Sequence, residues 1–131
     1  MLPELESTAE VKGIGIDLIP ISRIAKLIDR YDRQTLNLLF TPSEIDFCQS
    51  ASDPHQSYAV CFATKEAVGK ALGTGLAGIG WNEIEAKIIQ GRLTIEVSGE
   101  ASVQAKKRGV QACIATWCHW GQQVLVHVIA H

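Results

Sequence analysis

The stretch GIGIDLI, Gly13 to Ile19, decides how the rest of the chain is read. Ile14, Ile16 and Leu18 alternate with Gly13, Gly15 and Asp17, the period of two that a β-strand imposes. One face is branched and apolar; the other carries two glycines and a carboxylate. Glycine weakens a strand interior, so two of them on one face indicate that something approaches the backbone closely. A carboxylate inside a fold is costly unless it is paired or holds a metal. Asp17 is a candidate functional residue on those grounds.

Beyond this strand, Pro20 or Ser22 opens a helical pattern in which Ile21, Ile24, Ile28 and Tyr31 recur at three-and-four spacing. Thr41-Pro42-Ser43-Glu44 predicts a helix start, with threonine at the cap, proline at the first helical position and glutamate completing a capping box. Ser57 to Leu72 is the third predicted helix, ended by Gly73-Thr74-Gly75. Two alternating runs, around Glu83–Ile88 and Leu93–Val97, flank Gln90-Gly91 as a hairpin. A shorter helix is expected from Ser98-Gly99-Glu100 to near Gly109. Strands at about Gln111–His119 and Val124–Ala130 follow, turning at Gly121. The order β-α-α-α-β-β-α-β-β predicts an α+β fold, a mostly antiparallel sheet packed against helices. No repeat or low-complexity linker divides it, so residues 12–131 are expected to form one domain behind a short flexible tail, residues 1–11.

The chain has 131 residues, 47% hydrophobic and 20% charged, an ordinary globular composition. Its net charge of −2 provides no global basic field for nucleic acid. No apolar run approaches the roughly 20 residues of a membrane-spanning helix. The polar, acidic N-terminus lacks the order of a secretory signal. A cytoplasmic protein, with neither nucleic acid nor membrane as partner, is the expectation. Cys48, Cys61, Cys113 and Cys118 form no Cys-x-x-Cys pair and lie in apolar segments, as buried reduced thiols do. His127 shares its strand face with Leu125 and Ile129, so a core or interface histidine is expected rather than a metal ligand.

A second misplaced acid lies in CFATKEAVGKALGTG, residues 61–75. Apolar residues surround Glu66 almost completely, as on a helix buried on most sides. Glu66 and Lys70, four apart, share a helix face. Such a pair is usually a surface ion pair contributing about 0.2–0.5 kcal/mol. Gly69 beside them is not explained that way, since a mid-helix glycine costs about 1 kcal/mol against alanine; it would leave room for a ligand to reach both side chains. Two carboxylates, a lysine and a glycine-rich turn are compatible with Mg²⁺, which takes one or two carboxylates together with substrate phosphates.

Gly-Ile-Asp-x5-Arg-Ile, here Gly15 to Ile24, followed by Phe-Ala-x-Lys-Glu-Ala-x2-Lys-Ala-x-Gly-Thr-Gly, here Phe62 to Gly75, resembles holo-[acyl-carrier-protein] synthase, the small trimeric phosphopantetheinyl transferase family. The similarity runs from about Lys12 to the end. It implies Mg²⁺-dependent transfer of 4′-phosphopantetheine from coenzyme A to a serine of an apo acyl carrier protein, releasing adenosine 3′,5′-bisphosphate. It implies Asp17 and Glu66 as the metal carboxylates and, with Lys70, the catalytic set. Coenzyme A would be held by Lys65, Lys70, Gly73, Thr74, Gly75 and His119, in clefts between the subunits of a homotrimer. The glycines beside Asp17 would then make space for the diphosphate.

Arg23, Lys26, Arg30 and Arg33 recur at three-four-three spacing with Leu27 beside them, forming a basic stripe on one predicted helix. Charge runs of this kind are usually solvated faces; the resemblance makes this one a docking surface for the acidic carrier. The chain departs from the family pattern where arginine commonly precedes Phe62 and Cys61 stands here. It departs again at Cys118-His119-Trp120, in place of Ser-His-Thr, and at Gly91-Arg92-Leu93, in place of Gly-x-Pro. Cysteine cannot replace a guanidinium's bidentate donation to phosphate. Two other functions stay open: a non-catalytic trimeric module that binds coenzyme A or a carrier, and an interaction protein whose Glu66–Lys70 pair is only a salt bridge.

Overall fold

In the computed structural model, which describes residues 10–131, the GIGIDLI strand forms, but its faces are the reverse of what apolarity alone suggests. β1 (Gly13–Pro20) pairs antiparallel with β5 (Gln123–Ala130), which pairs on its other side with β4 (Cys113–Trp120). Ile14, Ile16 and Leu18 face outward and are 57%, 50% and 53% exposed. The glycines and Asp17 face inward, toward the long helix α4 (Pro54–Ala71). A Cβ on Gly13 would stand 1.8 Å from the Ala71 carbonyl oxygen, and one on Gly15 1.8 Å from that of Ala67. The close approach predicted from these glycines is therefore the backbone of α4, not a diphosphate.

The α+β expectation agrees with the structure. Between β1 and α4 run α1 (Ile21–Arg30), a four-residue helix α2 (Arg33–Leu36) and α3 (Pro42–Ser50). α2 was not anticipated, because one turn carries no period to detect. Asp32 caps it by accepting the Thr35 amide at 2.8 Å. Tyr31, expected on the first helix, is its exposed C-cap. At α3 the predicted capping box is present: Thr41 Oγ1 accepts the Glu44 amide at 3.1 Å and Glu44 Oε1 accepts the Thr41 amide at 2.9 Å. α4 starts three residues earlier than predicted, at Pro54 behind the Asp53 cap.

A short 3₁₀ turn (Trp81–Glu83) leads into the hairpin of β2 (Ile84–Ile89) and β3 (Arg92–Val97), and α5 (Gly99–Lys107) precedes β4. The core lies between α4 and the inner faces of both sheets. It contains Val124, Val126 and Val128 of β5, Ala63, Ala67 and Val68 of α4, and Ile24, Phe40, Ile45 and Ile84. Of the four thiols, only Cys48 and Cys61 are buried, with Sγ atoms 3.8 Å apart; Cys113 is half-buried and Cys118 exposed, contrary to the uniform burial expected. Of the tail expected at residues 1–11, residues 1–9 lie outside the described residues, and Glu10 and Val11 are exposed.

Candidate active site

The reversed faces of β1 explain how Asp17 meets α4. β1 is an outer strand, and the close seating of α4 on Gly13 and Gly15 brings Lys70 over its free edge. The Lys70 ammonium donates to the Ile16 carbonyl at 2.9 Å and to Asp17 Oδ1 at 3.1 Å. Its ion pair among the described residues is thus with Asp17, 53 residues away in sequence, rather than with Glu66 one turn before it. Asp17 is largely covered, its side chain 15% exposed, whereas that of Lys70 is 51% exposed.

Glu66, half-buried on α4, faces the same place. Burial first, and then the adjoining Asp17 carboxylate, push its carboxyl above the usual glutamate range; Lys70 and Arg23 pull it back. Two carboxylates from distant parts of the chain therefore lie near enough to feel each other's charge, with Lys70 bonded to one of them. Among the described residues no third His, Cys, Asp or Glu joins them in a metal-binding group. Arg23 was expected only in a docking stripe, yet it acts on Glu66 as well; no sequence signal distinguishes those roles.

Several predicted contributors lie elsewhere. Lys65 is fully buried and points away from this cluster. Its ammonium donates to Glu44 Oε1 at 2.7 Å and to the Ile84 carbonyl, while Glu44 Oε2 accepts the Ala86 amide at 2.9 Å. A lysine so enclosed cannot touch a phosphate, and its expected part in coenzyme A binding is corrected accordingly. The glycine-rich turn also differs from expectation. The amides of Gly73, Thr74 and Gly75 bond to the carbonyls of Lys70 and Gly69, closing the end of α4 and leaving none of the three for a phosphate. Gly69 is glycine for the same packing reason, since a Cβ there would meet the Gly75 carbonyl oxygen at 2.7 Å. It makes room for the turn, not for a ligand.

His119 lies on β4, on the far side of β5 from β1, about 10 Å away by two strand spacings. Its ring stacks on Trp117, centroids 6.1 Å apart. Within one chain it does not join Asp17 and Glu66. Cys61 is buried against Cys48; that hydrogen bond and burial raise its thiol pKa, so it is an inert packing group. On α1, Arg23, Lys26 and Arg30 are exposed and Leu27 is half-buried. Arg33 is separated from them by the break at Tyr31-Asp32 and donates to Asp46 of α3 at 3.0 Å. The stripe therefore has three members on one helix, and the fourth is tied to a different element.

The sequence profile of the 4′-phosphopantetheinyl transferase superfamily matches residues 13–122. The chain belongs to that superfamily, as a member of the holo-[acyl-carrier-protein] synthase family. It is 36% identical over 121 residues to the holo-[acyl-carrier-protein] synthase of Desulforudis audaxviator, covering 92% of each chain. Its fold is similar to that of the Neisseria meningitidis synthase (TM-score 0.83, 25% identity, covering 93% of this chain and 99% of that one). It is similar too to the Helicobacter pylori synthase solved in complex with coenzyme A (TM-score 0.76, 28% identity, covering 90% and 99%).

Proposed function

We propose that the chain transfers 4′-phosphopantetheine from coenzyme A to a serine of an apo acyl carrier protein, releasing adenosine 3′,5′-bisphosphate, with Asp17 and Glu66 holding Mg²⁺. The observation that carries this is the meeting of Asp17, Glu66 and Lys70 at the free edge of β1. Two carboxylates, one with its pKa raised by burial and then by the charge of the other, form a hard-oxygen pair whose repulsion a divalent cation would relieve. When bound there, Mg²⁺ would neutralise diphosphate charge and the charge developing on the departing nucleotide.

The other tasks fall to the chain's own residues. Lys70 is half exposed on a flexible stem, so its ammonium can leave Asp17 and serve as counter-charge to a phosphate oxygen. The serine proton would pass to Glu66 or to a water beside the bound cation. Arg23, Lys26 and Arg30 present cations on one face of α1 next to this cluster, where an acidic carrier would be steered and oriented.

The working unit is a homotrimer. The outward sheet face supports this: Ile14, Ile129 and Ile114 form one cross-strand row, Ile16, His127 and Thr116 the next, Leu18, Leu125 and Cys118 a third. No Asp, Glu, Lys or Arg interrupts these rows, whereas a solvated antiparallel face is ordinarily polar. His127, exposed here, is then an interface residue rather than a core one. His119, remote from the carboxylates of its own chain, would reach a nucleotide held by a neighbouring copy. Among the described residues no helix is long and apolar enough to cross a membrane. The four free cysteines suit a reducing cytoplasm.

The test is to incubate the protein with coenzyme A, Mg²⁺ and an apo carrier and to weigh the carrier by mass spectrometry. A phosphopantetheine increment that disappears in Asp17→Ala and in Glu66→Ala supports transfer. An unchanged mass across several carriers, with coenzyme A still bound, would establish the non-catalytic module instead.

A further inference from the structure

We propose that the buried Lys65–Glu44 pair is a positioning device: it fixes the rotation of α4 about its own axis and so fixes where Glu66 meets Asp17. This deepens the transferase proposal and rests on it.

Lys65 and Glu66 are consecutive on one helix, hence about 100° apart around its axis. Lys65 points to α3 and β2; Glu66 points to β1. Any rotation of α4 moves both together. Side-chain atoms lie about 5–6 Å from a helix axis, so a rotation of about 10° carries a carboxylate about 1 Å. A binding constellation tolerates only about 0.5 Å or 10–20° of error. Something must therefore hold the rotation of α4 within a few degrees.

Its seat on β1 is poorly suited to that task. There, Ala67 and Ala71 meet Gly13 and Gly15, a contact that permits close approach but has no ridge to lock into a groove. Lys70 ties the helix to β1 only through an exposed, flexible side chain; the Lys65 ammonium supplies a buried constraint by donating in two directions, to Glu44 Oε1 at 2.7 Å and to the Ile84 carbonyl. Glu44 is itself fixed, since its Oε1 accepts the Thr41 amide at 2.9 Å and its Oε2 the Ala86 amide at 2.9 Å. The anchor thus belongs to α3 and β2, and the group it holds belongs to α4. Both side chains are 0% exposed. Desolvation of such a pair offsets most of its attraction, so its main contribution is a defined geometry rather than net stability.

Two variants test this. Glu44→Leu/Lys65→Met replaces the pair with apolar side chains of similar length; Glu44→Asp keeps the charges and shortens the anchor by one methylene. For each, Mn²⁺ binding in the presence of coenzyme A is followed by the loss of the free-ion paramagnetic resonance signal. The Mg²⁺ dependence of transfer, the KM for the carrier and the melting temperature are measured alongside. The expected result is a roughly tenfold weaker Mn²⁺ affinity in both variants, with the Mg²⁺ requirement rising in proportion and the carrier KM unchanged. Glu44→Gln keeps the length but replaces one acceptor oxygen by an NH₂ group that cannot accept the Ala86 amide, so it should weaken Mn²⁺ binding as Glu44→Asp does. If the double variant does not fold, Glu44→Asp alone decides. Wild-type Mn²⁺ affinity in Glu44→Asp, or a carrier KM rising in step with the metal requirement, overturns the positioning role. If wild-type protein binds Mn²⁺ no better than Asp17→Ala, the transferase proposal falls as well, and the two failures are distinguishable.

Discussion

Gly15→Ala probes the contact that brings the two carboxylates together. The added Cβ would stand 1.8 Å from the Ala67 carbonyl oxygen and 2.9 Å from the Ala71 amide nitrogen, where separations under 3.0 Å essentially never occur. Both obstacles are helix backbone, so no side chain can swing aside. Relief requires α4 to retreat from β1 by more than 1 Å, or β1 to buckle by as much. Overpacking of a core ordinarily costs about 1–3 kcal/mol, and a backbone obstacle places this substitution at the upper end. For a domain of this size that corresponds to a fall of roughly 10 °C in Tm. Because Glu66 and Lys70 travel with α4 while Asp17 stays on β1, a displacement of about 1 Å should also lower transfer by on the order of a hundredfold. Urea denaturation and the carrier mass-shift assay measure the two effects separately. Gly78→Ala is the control: its φ of +75° disfavours a side chain, but a Cβ there meets nothing within 4 Å. It should lose about 1 kcal/mol and none of the activity. Gly15→Ala protein with wild-type stability and wild-type transfer would refute the account of α4 seating on β1.

Other outcomes follow from the same geometry. Arg30→Glu should raise the carrier KM on the order of tenfold at low salt and leave that for coenzyme A unchanged, since complementary charge acts chiefly on encounter; steady-state kinetics at two salt concentrations check this. Leu125→Glu places a carboxylate in the middle of the outward sheet face and, if the proposed trimer forms there, should yield single subunits in sedimentation velocity, with the far-ultraviolet circular dichroism spectrum retained. Glu83 accepts the amides of Glu100 and Gly80 at 3.0 and 2.9 Å, and these bonds hold its carboxyl below the usual 4.5. The folded form therefore binds this proton less readily than the unfolded chain does. The stabilisation is present above pH 4.5 and is lost as pH falls through the lower folded value. The melting-temperature deficit of Glu83→Gln should accordingly be full at pH 7 and close below pH 4.5, as scanning calorimetry would show.

Much of the candidate site is legible in the sequence because its members are misfits. A carboxylate on a strand face and another in an almost wholly apolar helix signal themselves wherever the fold places them. Direction was harder. Alternation in β1 reveals two faces but not which one is covered, and the apolar face proved to be the outer one. In α4, apolar residues on nearly every side remove the stripe that would have told the inward side chains from the outward ones. The family resemblance puts Lys65, a single residue from Glu66, near the phosphates, and no stripe is present to show that it reaches α3 and β2 instead. Glycines were ambiguous in the same way: Gly13, Gly15 and Gly69 do mark close approaches, but to backbone of the same chain. Local grammar was dependable where the partners are close in sequence, as at the Thr41–Glu44 box. It was silent where they are distant, as for Lys70 and Asp17.

The carbonyl of Ile84 and the amide of Ala86 belong to the border of β2 that β3 does not use, and Lys65 and Glu44 occupy them as a neighbouring strand would. An open border of this kind is a template on which stray extended chains can nucleate. Two side chains, one acid and one base, close it without adding any length of polypeptide. Growth of the hairpin into a longer ribbon is thereby blocked at Ile84 and Ala86.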